Sequence, residues 1–411
     1  MSLNQRIYLG AAIGVLLGYA ISQAPQAPVA HDVLYFCGLV STVFIDLLKM
    51  VLVPLVFTSI AVGVSNLRAH RHRHRVWQIT LLSSVVTSGL SIVLGLSAAA
   101  VFHPGRGLQL TSFKAATSGF QAGSLSLPEF FEKFLHAIFM NPVAAMAQGT
   151  VLPIVIFALF LGAALVSGGE RYTRLREVLQ ESFDLTMQLV RWIMQLAPWG
   201  IAALLTKLIA GASLSLIGSL ATFVVVVTGT TLFHGIVVLP LLLWLVTRTN
   251  PWRFWRGARP ALLTAFATSS SSATMPVTMQ CLESELGVSP DVTGFVVPLG
   301  AHLNMDGTAL YEAAAALFVA NLCGIDLSLG QQLIVCLTTM LAAVGAPGIP
   351  SAGMVTMIMV LQSVGLPAEA VAILLPFDRL LDTVRTAVNV EGDMVTSLIV
   401  QRLAVGQKGQ A

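Results

Sequence analysis

Charged side chains are scarce in this chain. Lys, Arg, Asp and Glu make up only 10% of its 411 residues and 56% are hydrophobic, which argues against a soluble globule. The four cysteines have no paired spacing, so they indicate neither a disulfide framework nor a zinc site. No short period repeats along the chain, which excludes a solenoid. The composition therefore predicts an all-α polytopic membrane protein without a soluble domain.

Long apolar runs predict the spans of the first 259 residues. The runs cover approximately 7–23, 34–66, 76–103, 143–168, 183–209 and 215–247. Each reaches or nearly reaches the roughly 17–25 residues that cross a bilayer as a helix. The first run could be a signal peptide, but the alternation of basic loops requires it to be a retained span. Residues 103–141 are predicted to lie outside, with a short packed helix over 127–140.

Basic residues cluster in alternate loops and predict the orientation. Arginines follow the second, fourth and sixth spans, at Arg68, Arg71, Arg73, Arg75, Arg171, Arg174, Arg176, Arg248, Arg253, Arg256 and Arg259. By the positive-inside rule both termini are predicted to be cytoplasmic. We expect the protein to reside in a plasma membrane, most readily the inner membrane of a bacterium. Histidines interleave with the first cluster at His70, His72 and His74, where a basic loop explains them better than metal binding does.

After residue 259 the apolar segments become too short to span. Residues 260–284 predict two arms of about 10 residues, or ~15 Å each, around the serine run Ser269–Pro276. Residues 331–364 repeat this design around Gly345–Gly353. Interrupted backbone at membrane depth is tolerated only where it is buried or lines a cavity, so both segments are predicted to be re-entrant hairpins.

Each predicted hairpin precedes a helix with polar interruptions. The first precedes Val292–Cys323, which is interrupted at Asn304–Thr308, and the second precedes the charged final segment Ala370–Val405. Two such pairs are typical of an inverted-repeat transporter with a site at the midplane. In an unbroken helix Asp306 would point about 200° away from Asn304, so the two could serve different ion sites. We expect Gly307 to unwind the helix there.

The final segment carries a stripe of polar side chains. On a helix that advances ~100° per residue the stripe occupies an arc of ~80°, with Thr386 at its edge. Its members are Asp378, Asp382, Arg385, Asn389 and Asp393. Glu391 falls on the opposite side, and Arg379 lies ~100° away, outside the stripe. Each ionised residue near the bilayer centre costs about 2.5–3.5 kcal/mol, so the stripe must face partners, water or a ligand.

The polar groups of these segments suit a charged solute and small cations. The serine run offers amides and hydroxyls to a carboxylate, and the side-chain oxygens of Asn304, Asp306, Asn389 and Asp393 suit an alkali cation. Asp382 can hold an ammonium while Arg385 binds a second carboxylate, which describes an acidic amino acid in outline. Alternatively, Arg385 pairs with Asp378 or Asp382 when the site is empty, or the stripe is only an ion-pair ladder between helices.

Four motifs, in this order, resemble the dicarboxylate/amino acid:cation symporter family, which contains the excitatory amino acid transporters and archaeal aspartate transporters. The motifs are Ser269–Pro276, Asn304–Glu312, Gly345–Gly353 and Asp378–Asp393, with further likeness at Leu48–Phe57 and Asn141–Leu165. The resemblance implies eight transmembrane helices, two re-entrant hairpins and a homotrimer of elevator-type carriers. A scaffold would comprise residues 1–75 and 104–209, and a transport domain residues 76–103, 210–259 and 260–411.

Carried over by motif, the resemblance implies a role for each polar residue. The substrate site would comprise Ser270, Ser271, Ser272, Thr308, Ile349, Gly353, Asp382, Arg385, Thr386 and Asn389, with Asp378 orienting Arg385. Asp382 would hold the amino group and Arg385 the side-chain carboxylate. One Na⁺ site would use Asp393, Gly300, Asn304 and Asn389, and another Asp306, Asn304, Thr87 and Ser88. Glu312 stands where animal glutamate transporters have a glutamate implicated in carrying a proton.

The sequence also departs from the family pattern. Ser269 and Thr383 occupy the two positions where family members carry an arginine near the substrate. Arg379 lies one turn before Thr383 and is predicted to take the place of the missing arginine. Ser84 occupies a position near a cation site where the family pattern has a tyrosine. This difference leaves the number of coupled sodium ions open.

These patterns predict a symporter for glutamate or aspartate coupled to Na⁺, H⁺ or both, with no other cofactor and no nucleic-acid partner. A C4-dicarboxylate or neutral amino acid symporter of the same fold is the alternative. An ion channel could use the same polar stripe, but two occluding hairpins favour a carrier. A hydrolase built on the serine run lacks a base beside those serines, so we predict that the chain is not an enzyme.

Overall fold

The computed structural model of the protein describes residues 3–24, 26, 28–65, 74–106, 139–149, 151–211, 214–345 and 352–405. Every regular element within these ranges is helical, as the composition predicts. The α-helices are α1 (Leu3–Gln23), α2 (Pro28–Ser65), α3 (His74–Phe102), α4 (Pro142–Gln148), α5 (Val151–Ser167), α6 (Thr173–Gln195), α7 (Ala197–Gly211), α8 (Leu214–Phe233), α9 (Leu239–Thr247), α10 (Pro251–Thr268), α11 (Ser271–Gln280), α12 (Pro290–Leu303), α13 (Asp306–Cys323), α14 (Leu329–Gly345), α15 (Ala352–Ser363) and α16 (Val371–Val400).

Several helices are long and apolar enough to cross a membrane. The described residues contain four continuous ones, at Gln5–Gln23, Pro28–Ser65, Arg75–Phe102 and Gly218–Thr247. The last joins α8 to α9 through a π-helical turn at His234–Val238. Pro240 follows in the first turn of α9, and because proline has no N–H, the local hydrogen-bond ladder must change register there. The first, second, third and sixth predicted spans are therefore present as long helices.

The fourth and fifth predicted spans are not single straight helices. α4 ends at Gly149, whose φ of 67° is left-handed, and α5 starts at Val151. α6 and α7 meet at Leu196 with a bend of 52°. Pro198 lies in the first turn of α7 and cannot donate to the preceding turn, which explains the break.

The first predicted hairpin is present, with arms of unequal length. α10 packs against α11, and the turn between them is at Ser269, whose φ of 51° is left-handed. The first arm has 18 residues instead of about 10, because it begins at Pro251. Asn250 caps that start by accepting a hydrogen bond from the N–H of Trp252 at 2.8 Å. The arginines predicted to lie in a loop, Arg253, Arg256 and Arg259, are therefore on a helix.

The second predicted hairpin has both of its arms in the structure. α14 packs against α15, and α15 also contacts α13 and α16. The turn, residues 346–351, lies outside the described residues, and so does most of the predicted outer segment, residues 107–138.

The final helix, α16, lies at the centre of one of two groups of packed helices. It contacts α3, α8, α10, α12 and α13, and most of its side chains are buried. A second group is formed by α1 against α7, and by α2 against α5, α6 and α7. The two groups meet where α7 contacts α16 and where α14 and α15 contact α2 and α5. This arrangement places the charged stripe inside protein.

Candidate functional site

The polar interruption after α12 is a true break in the helix. Asn304 has φ −116° and ψ 73°, Met305 is also non-helical, and α13 begins at Asp306. The prediction that Gly307 unwinds the helix was wrong, because Gly307 lies in the first turn of α13. Because glycine has no side chain, α13 can approach α16 closely at this position: a Cβ here would lie 2.5 Å from the carbonyl oxygen of Arg385. The start of α13 therefore touches the backbone of α16.

Asn389 fixes this contact through its side-chain amide. Its Oδ1 accepts hydrogen bonds from the N–H groups of Gly307 at 2.8 Å and Thr308 at 3.3 Å. Its Nδ2 donates to the Thr308 hydroxyl at 3.1 Å. These bonds satisfy amides at the N-terminus of α13, where the helix dipole is positive. The broken helix and the charged helix thus share one polar junction.

Arg385 lies at the centre of the stripe. Its Nη2 donates to Oδ1 of Asp378 at 2.7 Å and to Oδ1 of Asp382 at 2.8 Å. The guanidinium also stacks over the ring of Tyr311, with 4.1 Å from Cζ to the ring centroid. Nε and Nη1 are buried and have no hydrogen-bond partner among the described residues. Arg385 therefore pairs with both aspartates at once and still has two nitrogens with unused donors.

Arg379 belongs to the same cluster, although its helical position predicted otherwise. Its side chain is only 5% exposed, and Nη1 lies 3.6 Å from Oδ2 of Asp382. The long side chain reaches around the helix, so an offset of ~100° did not separate it from the stripe. Two aspartates and two arginines balance the charge of this cluster within α16.

Both hairpins approach the cluster. A Cβ at Gly353, near the start of α15, would lie 3.5 Å from Nη1 of Arg385 and 3.0 Å from Cγ2 of Thr308. In the first hairpin, Ser270 caps α11 by accepting a hydrogen bond from the N–H of Ala273 at 3.1 Å, and α11 packs on α16. Ser271 and Thr386 are buried and Ser272 is partly buried, whereas Ile349 lies outside the described residues. The structure thus brings Gly353, Thr308 and Asn389 close to Arg385.

The residues of one predicted cation site meet between α3 and the break. Thr87 donates to Oδ1 of Asn304 at 2.9 Å, and Ser88 donates to Oδ1 of Asp306 at 2.7 Å. Nε2 of His234 lies 3.3 Å from the other carboxylate oxygen of Asp306, and both side chains are fully buried. His234 was missed by the sequence interpretation, although an ionisable residue within an apolar span was a usable signal.

The second predicted cation site lies beside α12. A Cβ on Gly300 would overlap the carboxylate of Asp393, so the two residues are in close contact. Oδ1 of Asp393 is buried without a hydrogen-bond partner in the described part of the chain. No group of three or more His, Cys, Asp or Glu side chains suited to a metal ion occurs among those residues. His70 and His72 are outside them.

Glu312 lies one turn further along α13 than Thr308. Its carboxylate accepts a hydrogen bond from the hydroxyl of Thr356 on α15. Oε2 of Glu312 has no partner among the described residues, and the side chain is buried. The hydroxyl of the adjacent Tyr311 contacts Sδ of Met354 at 3.6 Å. Thr356 and Tyr311 were not singled out from the sequence, because nothing in their spacing indicates that they meet partners on other helices.

A buried charged helix, a broken helix and two helical hairpins define a polytopic membrane transporter. The chain belongs to the sodium:dicarboxylate symporter family, whose sequence model matches residues 3–403. This confirms the resemblance predicted from the four motifs. Because the family consists of transporters, the prediction that the chain is not an enzyme is confirmed too.

Individual relatives match along most of the chain. It is 34% identical to the putative sodium-dependent excitatory amino acid transporter glt-4 of Caenorhabditis elegans, across 97% of this chain and 89% of that protein. It is 33% identical to excitatory amino acid transporter 2 of Rattus norvegicus, across 97% of this chain and 77% of that one. Its identity to excitatory amino acid transporter 1 of Mus musculus is 44%, across 64% of this chain and 49% of that protein.

Proposed function

We propose that the protein is a symporter that takes up glutamate or aspartate together with Na⁺. The observation that carries this proposal is the state of Arg385. Its guanidinium is buried in a charge-balanced cluster, yet Nε and Nη1 have no partner among the described residues. An unused buried donor costs about 1–3 kcal/mol, and a bidentate carboxylate would remove that cost. The side-chain carboxylate of an acidic amino acid has the required charge and shape.

The rest of the substrate would bind around this guanidinium. Asp382 holds the ammonium group, after releasing part of its contact with Arg379 and Arg385. The main-chain carboxylate lies at the N-terminus of α13, beside Thr308 and Asn389. Ser270, Ser271 and Ser272 contribute from the first hairpin, Gly353 and Ile349 from the second, and Thr386 from α16, while Asp378 orients Arg385. The positive ends of α11 and α13 favour an anion there.

Sodium ions would bind at two places beside the substrate. Thr87, Ser88, Asn304 and Asp306 supply oxygen atoms to one site. The other uses the carboxylate of Asp393 with Gly300, Asn304 and Asn389. The unpartnered oxygen of Asp393 supports the second site, because a buried carboxylate requires a counter-charge or a proton. We further assign proton carriage to Glu312, whose second carboxylate oxygen likewise has no partner among the described residues.

Transport would proceed by an elevator movement within a homotrimer. We assign residues 1–75 and 104–209 to the scaffold, and residues 76–103, 210–259 and 260–411 to the moving domain. The packing of α1 and α2 with α5, α6 and α7 supports the scaffold, and the packing of α3, α8, α10, α12 and α13 around α16 supports the moving domain. Eight spans with both termini in the cytoplasm of a bacterial cell complete the proposed topology.

One observation favours a second substrate class. Asp382 already contacts two arginines, Arg379 and Arg385, so the cluster could bind two carboxylates of a solute that lacks an amino group. A C4-dicarboxylate such as succinate has that chemistry. It would not use Asp382 as an ammonium partner, and we therefore place it second.

Uptake into proteoliposomes decides between these substrates. The purified protein is reconstituted, and accumulation of radiolabelled L-aspartate, L-glutamate and succinate is followed with imposed Na⁺ and pH gradients, singly and together. Accumulation of an amino acid above its equilibrium level, dependent on Na⁺, supports the proposal. Accumulation of succinate alone would establish the second class, and flux without accumulation in every condition would show that the protein is not a carrier of these solutes.

A further inference from the structure

A cavity on the outer side of α16 is separate from the charged cluster. Its volume is about 690 Å³, and its walls come from α8, from the π turn after it, from α10 and from α16. Apolar side chains such as Ile236, Leu263, Phe266 and Val388 form most of this surface. The volume lies within the range of about 300–1,000 Å³ that is usual for small-molecule sites. The cavity is therefore large enough to hold part of an apolar ligand.

Two arginines and one glutamate, Glu391, interrupt this apolar surface. Arg256 and Arg259 both line the cavity, and neither has a hydrogen bond or ion pair among the described residues. On α10 they lie about 60° apart, on the same side as Leu263 and Phe266. Arg253 is on the same helix but ~120° from Arg259, and it does not line the cavity. Two unpaired guanidinium groups at an apolar cavity complement an anion that carries a hydrocarbon chain.

Two tryptophans indicate that the part of the cavity near the start of α10 lies at the membrane surface. Trp252 and Trp255 both line it, and their rings meet edge to face with centroids 6.3 Å apart. Trp residues concentrate at the level of the lipid headgroups, where the indole has an apolar body and a polar N–H. The indole of Trp255 donates to Oε1 of Glu391 at 3.2 Å, which fixes the ring against α16. The arginines one turn away therefore lie close to headgroup depth.

We propose that this cavity binds an anionic phospholipid, with its phosphate on Arg256 and Arg259 and one acyl chain between α8, α10 and α16. Arginine suits a phosphate because its planar donors match two phosphate oxygens. Basic pockets between membrane helices on the side of the basic loops meet the anionic lipids of that leaflet. A lipid held here bridges α8, the first arm of the first hairpin and α16, so it would connect three elements of the proposed moving domain.

Quenching of tryptophan fluorescence by brominated lipids tests the site directly. The full-length protein is reconstituted in phosphatidylcholine vesicles that contain a small, increasing fraction of dibrominated phosphatidylglycerol or dibrominated phosphatidylcholine. We expect phosphatidylglycerol to quench at a mole fraction about tenfold lower than phosphatidylcholine does. Trp252→Phe with Trp255→Phe should remove most of this selective quenching, since among the described tryptophans only these two line the cavity.

Charge variants distinguish a site from the general lipid annulus. Arg256→Gln with Arg259→Gln should abolish the preference for phosphatidylglycerol, whereas Arg253→Gln on the same helix should retain it. The single variants Arg256→Gln and Arg259→Gln take the place of the double variant if that protein does not elute as a folded species. Equal quenching by the two lipids, or a preference lost equally in Arg253→Gln, would mean annular lipid only and would overturn the proposal.

Discussion

The hydroxyl of Thr356 donates a hydrogen bond to the carboxylate of Glu312 and so joins α15 to α13. A second contact, from the hydroxyl of Tyr311 to Sδ of Met354, connects the same two helices nearby. Tyr311 also lies under the guanidinium of Arg385. Any movement of α15 away from the charged cluster must therefore change the surroundings of Glu312. This geometry couples the proposed proton carrier to the second hairpin.

Glu312→Gln should abolish uptake driven by a pH gradient in the absence of Na⁺ and leave Na⁺-driven uptake measurable. An amide keeps the bond from Thr356 but cannot gain or lose a proton. Glu391→Gln is the matched control, because Glu391 is also a buried glutamate but contacts Trp255 instead of the second hairpin. If wild type and Glu312→Gln both depend on Na⁺ alone, protons are not coupled through this residue.

Arg385→Cys should shift the substrate preference from acidic to neutral amino acids. The change removes the cation that matches a side-chain carboxylate, and a lost charge-assisted bond of about 1.5–3 kcal/mol predicts at least a tenfold loss of glutamate affinity. Competition of radiolabelled L-glutamate by unlabelled L-glutamate and L-serine measures both effects. Glutamate affinity equal to that of the wild type would remove Arg385 from the substrate site.

The sequence predicted the main features of the charged cluster because helical geometry fixes them. Residues three, four and seven apart on a helix share a face, so Asp378, Asp382 and Arg385 had to meet. The family and both hairpins followed from motifs and from apolar segments too short to span. Roles in binding and transport are not geometric consequences of spacing, and the assignments of individual ligands stay predictions.

What the sequence could not predict depends on contacts between distant segments or on side-chain reach. The meeting of His234 with Asp306 brings together residues 72 apart, and no periodic pattern encodes such a pair. Arg379 joined the cluster because a long side chain can reach around a helix. The bend at Leu196 is a different case, because Pro198 is a local signal within an otherwise continuous apolar run. The first two features reflect contacts that no local pattern encodes.

Arg379→Ala should weaken uptake of acidic amino acids several-fold, mainly through a higher KM. Removal of Arg379 takes one cation away from Asp382, which strengthens the pull of Asp382 on Arg385 and draws Arg385 away from the substrate carboxylate. Thr383→Ala, one turn further along α16, is the control, because within the described part of the chain the Thr383 hydroxyl bonds only back to the carbonyl of Leu380. Transport by Arg379→Ala at the wild-type rate and KM would show that this arginine is not required.

Ser88→Ala should raise the Na⁺ concentration needed for half-maximal uptake, with a smaller effect on substrate KM at saturating Na⁺. The Ser88 hydroxyl is 2.7 Å from Asp306, where it can both orient the carboxylate and supply an oxygen to the cation. Ser91→Ala is the control, since the buried Ser91 hydroxyl bonds, among the residues that the structure describes, only to the backbone carbonyl of Ser88. Equal Na⁺ dependence in the two variants would exclude Ser88 from the cation site.

Gly300→Ala should remove the response to Na⁺, because the new Cβ would occupy the space of the Asp393 carboxylate. Gly294→Ala is a strict control on the same helix, since a Cβ there meets nothing within 4 Å. Both substitutions gain helix propensity, worth about 1 kcal/mol, so any difference between them isolates the contact with Asp393.

Thermal unfolding in detergent, with and without Na⁺, provides the measurement. A ligand that binds only the folded state raises Tm, and we expect this rise in wild type and Gly294→Ala but not in Gly300→Ala. A rise of the same size in Gly300→Ala would place the cation away from Asp393.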